Sequence, residues 1–194
     1  DLMVNNAGIA IGGPIAELDI AHWDRAIDVN LRGVVNGVQA VLPAMLTRGR
    51  GHIVNVASLA GLIPSPGMAP YSATKHAVVG MSLSMQLDLA DTGVDVTVVC
   101  PGFTDTPILD KFNPADLPPV PSGGSARSFA ESLPGGVYDV SELAADIVRG
   151  IEKNMVMVVA PATAKAAWRS YRTSPAGFQK LTQSAAKNRR KSGE

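Results

Sequence analysis

Cysteine is almost missing from this chain: Cys100 is the only one in 194 residues. No intrachain disulfide can form, and a reducing, cytoplasmic setting is expected. Net charge is missing too, because seventeen basic residues balance seventeen acidic ones. No global field therefore draws the chain to nucleic acid or to anionic membrane. Four Phe, three Tyr and two Trp are too few aromatics to build stacking platforms for single-stranded nucleic acid. No apolar run approaches the roughly 18 residues that a membrane span needs. There is also no initiating Met. The first residue is Asp1, followed at once by the apolar triplet Leu2-Met3-Val4 and then by Asn5-Asn6-Ala7-Gly8. A buried strand running straight into a loop is a rare way for a gene to begin, so a preceding segment is expected, and any targeting signal would belong to it.

What remains is enzyme-like. Hydrophobic residues make up 46% and charged residues 18%, which excludes wholesale disorder. The length suits one sizeable core. Three short β-branched runs, bounded by Gly, Pro or polar residues, read as buried strands at 1–6, 52–58 and 94–100, with a weaker fourth at 155–161. Between them lie helical patterns. The first covers about 20–47, N-capped by Asp19, with Trp23, Ile27, Leu31, Val34, Val38, Val41 and Leu42 at helical spacing. The second covers about 70–91 with Gly93 as its stop, and the third runs from Ser141 to Lys153. Buried strands alternating with helices of this length predict an α/β fold: a doubly wound parallel sheet with right-handed crossovers. Four strands are few for such a sheet.

Residues 103–140 break the alternation. Six prolines (107, 114, 118, 119, 121 and 134) and Gly123, Gly124, Gly135 and Gly136 are interleaved with Leu109, Phe112, Leu117, Val120, Phe129 and Leu133. So long a connection with so much apolar content is expected to be a lid over an apolar substrate. The domain is expected to occupy 1–161, followed by a helical extension and basic tail at 162–194. The tail is read as solvated, in preference to a membrane-surface anchor. Cys100 ends an apolar strand and reads as a small buried hydrophobe.

Chemistry concentrates in YSATK at 71–75. Tyr71 and Lys75 are four apart on a helix, which places them on one face. A free phenol has a pKa of about 10, and an ammonium beside it favours the phenolate. Such a Tyr could exchange a proton with an alcohol oxygen. Ser58 closes the second strand, at the end where ligands of parallel sheets collect, and its hydroxyl could polarise a carbonyl. Asn30 sits mid-helix in DVNLRG. If buried there it needs partners, and a water relay to Lys75 would supply them.

With NNAG at 5–8, Asn30 in DVNLRG, Ser58, YSATK and PGFTDT at 101–106 all in order, the chain resembles a short-chain dehydrogenase/reductase from its fourth strand onward. The resemblance implies a Rossmann-like sheet lacking the family's first three strands. It makes Tyr71 the general acid/base, with Lys75 depressing its pKa and binding the nicotinamide ribose. Ser58 would position the substrate oxygen, and Asn30 would hold the water of a proton relay. Asn5, Asn6, Ala7 and Gly8 would border the adenosine side of the cofactor and stiffen the sheet. Pro101, Gly102, Thr104 and Thr106 would face the nicotinamide. The implied cofactor is NAD or NADP, and no metal is implied. The implied reaction interconverts a secondary alcohol and a ketone, with a hydrophobic small molecule as substrate and a homodimer or homotetramer as the assembly.

The family's glycine-rich turn does not occur in these residues, and GIAIGG at 8–13 lacks its spacing. Residues 1–194 alone are therefore expected to be inactive, with the first strand a bare apolar edge. The competing reading is a truncated, non-catalytic subunit or binding module of the same fold. A weaker enzymatic rival is an epimerase or dehydratase that also uses Y-x-x-x-K.

Overall fold

The computed structural model describes residues 1–122, 126–133 and 135–192, with side chains as far as Ser184. Gly123, Gly124 and Pro134 of the expected lid, and the side chains of the basic end at 186–194, lie outside the described residues.

Four strands form one parallel sheet in the order β1 (Leu2–Asn5), β2 (Gly51–Val56), β3 (Val94–Pro101), β4 (Met157–Ala160). All three pairings are parallel, with Asn5 opposite Asn55, Val54 opposite Thr97 and Val99 opposite Val158. A parallel neighbour needs a crossover, and each crossover carries a helix. Helices α1 (Ile20–Ile27), α2 (Gly33–Arg48) and α3 (Ala69–Asp88) lie among the first three strands. The short α4 (Ala126–Glu131) and then α5 (Val140–Glu152) connect β3 to β4, and α6 (Ala162–Thr173) and α7 (Pro175–Ser192) follow.

Strand alternation decides the two faces. On one, Val38 and Met45 of α2 pack with Ile53, Val94 and Val96, and Val34 packs with Val78 and Val79 of α3 and with Val98 and Cys100. On the other, Val54, Val99 and Val158 meet Leu143, Ile147 and Ile151 of α5. Covered on both faces from β2 to β4, the sheet is the doubly wound arrangement expected from the sequence. At the β1 edge the second face is bare, with Leu2 52% and Val4 45% exposed.

Several boundaries differ from the sequence reading. The first long helix is interrupted: residues Asp28–Arg32 form a π-turn between α1 and α2, with the Gly33 N–H donating to the Asp28 carbonyl. Helix α3 stops at Asp88, well before Gly93, whose φ of +77° instead serves the turn into β3. Helix α5 begins at Val140 because the Asp139 side chain accepts from the N–H groups of Ser141 and Glu142, so Asp139 rather than Ser141 opens it. Asp19 caps α1 as expected, accepting from the Ala21 N–H. The helical part of the extension continues as α7 to Ser192.

Candidate active site

The C-terminal ends of β1, β2 and β3 open on one side of the sheet, and the residues singled out from the sequence gather there. Ser58 follows β2 in extended conformation and caps a short 3-10 turn, its Oγ accepting from the Ala60 N–H at 3.1 Å. Pro70 lies in the first turn of α3, where it forfeits no helical hydrogen bond. Tyr71 follows in the same turn and Lys75 one turn on, both buried. The Lys75 Nζ sits 5.6 Å from the centre of the Tyr71 ring and donates to the Val56 carbonyl at 2.9 Å.

Burial decides the electrostatics. It pushes the Tyr71 phenol above its ordinary value, while hydrogen bonding with the Ser58 side chain pulls it back. The balance at Tyr71 is upward because its own burial outweighs what opposes it, and burial also drives the Lys75 ammonium down to about 8. The phenol is therefore held in its neutral, proton-giving form. Cys100, fully buried beneath the site, is pushed up to about 12 by burial and is inert as a nucleophile, as read from the sequence.

The low value at Lys75 has a consequence for stability. The unfolded ammonium, at 10.5, holds its proton more tightly than the folded one at about 8. The unfolded state thus binds more protons between those values, and stability rises with pH across that window. Cys100 and Tyr71, both raised by burial, contribute the opposite sign above their ordinary values of 9.0 and 10.0, so the rise is read between pH 8 and 9. The unfolding free energy of the parent protein, measured by urea denaturation, should climb over that interval by about 1 kcal/mol. In Lys75→Met the climb should be lost and stability at pH 7 should be higher.

Asn30 is fully buried within the π-turn. Its protein partners are Ile9 and Thr74. Oδ1 accepts from the Ile9 N–H at 2.9 Å, and Nδ2 donates to the Ile9 carbonyl at 3.0 Å and to Thr74 Oγ1 at 3.4 Å. The amide is thus clamped onto the loop that follows β1. A β-carbon at Gly8 would lie 3.3 Å from Asn30 Oδ1 and 3.4 Å from Lys75 Nζ, so that loop, the π-turn and α3 converge on Gly8.

The NNAG residues divide. Asn5 is buried and does not face the cleft; its Nδ2 donates to Asn55 Oδ1 at 2.8 Å, and Asn55 Nδ2 donates to Ser82 Oγ at 2.9 Å. This buried polar line ties β1 to β2 and α3, the sheet-stiffening part of the role implied for it. Asn6 and Ala7 are exposed and Gly8 is half-buried at the mouth of the site. At the end of β3, Thr104 is buried and donates to the Gly102 carbonyl at 3.3 Å, while Thr106 donates to the Thr104 carbonyl at 3.3 Å. Pro101 and Gly102 sit against the start of α6, where a Gly102 β-carbon would meet Ala164 and Pro161 at 3.3 Å.

The segment after β3 folds back over the loop after β1. Asn113, in left-handed conformation, exchanges two hydrogen bonds with the Gly12 backbone at 2.9 and 2.8 Å. A β-carbon at Gly12 would strike the Phe112 ring at 2.2 Å, and one at Gly13 would strike Val120 at 2.4 Å. Gly12 and Gly13 of GIAIGG are therefore a seat for this strap and are not placed to cradle phosphate. His22, wholly buried, reaches the Pro118 carbonyl at 3.1 Å, Arg25 pairs with Asp116 at 2.6 Å, and Glu17 accepts from Ser122. Arg127 bridges Asp110 and Asp105 at 2.6 and 2.8 Å. Asn113, His22 and Thr74 were not singled out from the sequence. Asn113 stands before a proline, a turn signal, but each acts on a partner from a distant segment, which no local pattern announces.

Among the described residues no group of three or more His, Cys, Asp or Glu could hold a metal ion, and no helix is long and apolar enough to cross a membrane.

Residues 1–117 match the protein family described as short chain dehydrogenase. An uncharacterized oxidoreductase of Staphylococcus aureus strain MW2 is 40% identical over 116 residues, which is 60% of this chain and 50% of that protein. One from Staphylococcus epidermidis is 41% identical over 110 residues, 57% of this chain and 48% of that protein. The chain spans about half the length of the curated relatives it matches. Among solved structures, a short chain dehydrogenase/reductase from Burkholderia phymatum in complex with NAD superposes with a TM-score of 0.78 at 30% identity, covering 89% of this chain and 65% of that one. A short-chain dehydrogenase from Sphingobium yanoikuyae in complex with NADPH gives 0.72 at 27% identity, covering 92% and 64%.

Proposed function

Because the chain belongs to the short chain dehydrogenase family, we propose that it carries the acid–base half of an NAD(P)-dependent oxidoreductase interconverting a secondary alcohol and a ketone. The observation that carries the reading is the burial of Tyr71 and Lys75 together, with Ser58 hydrogen bonded to the Tyr71 side chain, at the C-terminal ends of β1–β3. Two similar structures are, by their own descriptions, in complex with NAD and with NADPH.

The residues present fit the nicotinamide-ribose half of such a cofactor. Lys75 is buried with one hydrogen bond from Nζ, to the Val56 carbonyl, and an ammonium has three donors, so two remain for ribose hydroxyls. Gly8 keeps the neighbouring loop thin, and Gly102 with Thr104 and Thr106 forms the opposite border. When bound, the nicotinamide supplies or takes up hydride. The chain's own residues handle the proton. As a ketone carbon gains hydride, its oxygen takes the Tyr71 proton, and the Lys75 ammonium holds the phenolate left behind. Ser58 donates to the same oxygen as negative charge develops on it. In the reverse direction the phenolate removes the alcohol proton. The strap packs Phe112 and Val120 onto Gly12 and Gly13, and its apolar side chains support a hydrophobic ketone or alcohol as substrate.

The test is a fluorescence titration of the protein produced from its own gene with NADH and NADPH, followed by turnover on a panel of ketones. One cofactor should bind and at least one apolar ketone should be reduced. Residues 1–194 alone should bind more weakly, because the described residues offer no glycine-rich turn for a pyrophosphate. Binding of neither cofactor by the protein from its own gene would sink the proposal in favour of a non-catalytic subunit.

A further inference from the structure

We propose that Thr74 is a positioning residue whose hydroxyl joins the catalytic helix to Asn30, and through Asn30 to the loop after β1. The proposal rests on the acid–base reading of Tyr71 for its functional meaning, although the joint itself is a matter of packing.

Thr74 stands inside YSATK, one residue before Lys75, and is 2% exposed. Its hydroxyl has one proton, which goes to the Tyr71 carbonyl three residues back at 2.8 Å. A helical Thr can make that bond because its Oγ1 reaches the preceding turn. With the proton committed there, the oxygen can only accept, and it faces Asn30 Nδ2 at 3.4 Å. Asn30 has two amide protons. One is taken by the Ile9 carbonyl at 3.0 Å, and Thr74 is the partner of the other. A side chain that is wholly buried has no water to substitute.

The result is one continuous line from the Tyr71 backbone through Thr74 and Asn30 to both hydrogen-bonding groups of Ile9. It links the helix that carries the acid, the π-turn and the cofactor-side loop, three segments that come from distant parts of the chain. Without the hydroxyl, Asn30 would remain clamped to Ile9 but would float free of α3. The loop and the catalytic helix could then shift against each other beside Gly8, where Asn30 Oδ1 and Lys75 Nζ converge.

The measurement is amide exchange at Ile9, by NMR or by mass spectrometry of the peptide containing it, in the protein produced from its own gene. Thr74→Val keeps the shape and removes the hydroxyl, and should speed Ile9 exchange about tenfold, the ratio that one lost buried hydrogen bond corresponds to. Thr74→Ser keeps the hydroxyl and should stay within about twofold of the parent. Turnover should follow the same order, about tenfold down in the valine variant and recovered in the serine variant. Should the valine variant fail to fold, Thr74→Ala carries the same reading with less bulk. Parental Ile9 exchange in the valine or alanine variant overturns the joint, and so does exchange in the serine variant as fast as in valine. Full turnover in Tyr71→Phe would instead overturn the acid–base reading and leave the Ile9 result to stand by itself.

Discussion

Tyr71→Phe should lower turnover by about 10²–10⁴-fold, the usual share of a positioned acid–base group, while leaving cofactor affinity nearly unchanged. The ring's burial against Lys75 survives the substitution, because phenylalanine differs only by the hydroxyl. The Ser58 side chain loses the partner it has in the parent but stays where it is, fixed as the cap of its own 3-10 turn by the Ala60 N–H. Nothing else nearby can take over. The thiol of Cys100 is pushed to about 12, and Lys75, at about 8, is engaged with the Val56 carbonyl. Steady-state kinetics on a ketone found by the panel, alongside nucleotide titration, separates the two effects. A variant that retains more than a tenth of parental turnover would mean that another group moves the proton.

The second large effect is expected at Gly61, a position that carries no functional group. A β-carbon there would lie 2.6 Å from the Lys75 carbonyl oxygen and 2.8 Å from its carbon. Those are backbone atoms of α3, so no side chain can swing aside. Gly61→Ala must push the short turn after Ser58 away from the helix that carries Tyr71 and Lys75. Overpacking of this kind costs about 1–3 kcal/mol. It should also separate Ser58 from Tyr71, so turnover should fall further than stability alone explains. Denaturant unfolding together with kcat measured well below the midpoint tests this. Parental turnover in a destabilised variant would show that the turn moves without disturbing the site.

How much of this was legible in the sequence depends on the kind of contact. The strands were readable because Ile53, Val54, Val96, Val98 and Val99 are β-branched and buried on both faces of the sheet. YSATK was readable because its spacing follows from helix geometry alone. Asn30 was half readable: its low helix propensity marked it as unusual, but its clamp on Ile9 depends on a loop twenty-one positions away. Asn5 was read both as bordering the cleft and as stiffening the sheet; its stiffening bond depends on the pairing register that sets it opposite Asn55, fifty positions away. The strap's anchors were unreadable, since Gly12 and Asn113 are 101 positions apart. The rise of Tyr71 above its ordinary value was missed for a different reason. Helix spacing sets the proximity of Lys75, whereas burial is a property of the whole fold.

The π-turn solves a problem of angular phase. His22, Ala26, Asn30, Val34 and Val38 are all buried, and each stands four positions after the last. An ideal α-helix turns about 100° per residue, so each step of four overshoots a full turn by about 40°, and four such steps would carry the inward face about 160° around. A regular helix could not keep both His22 and Val38 against the body of the protein. The wide turn at Asp28–Arg32 accommodates extra residue length without extra rotation and cancels much of that drift. One end of the paired helices can therefore meet the strap at Pro118 while the other fills the core beneath β2. Asn30 sits at the point where the correction is made.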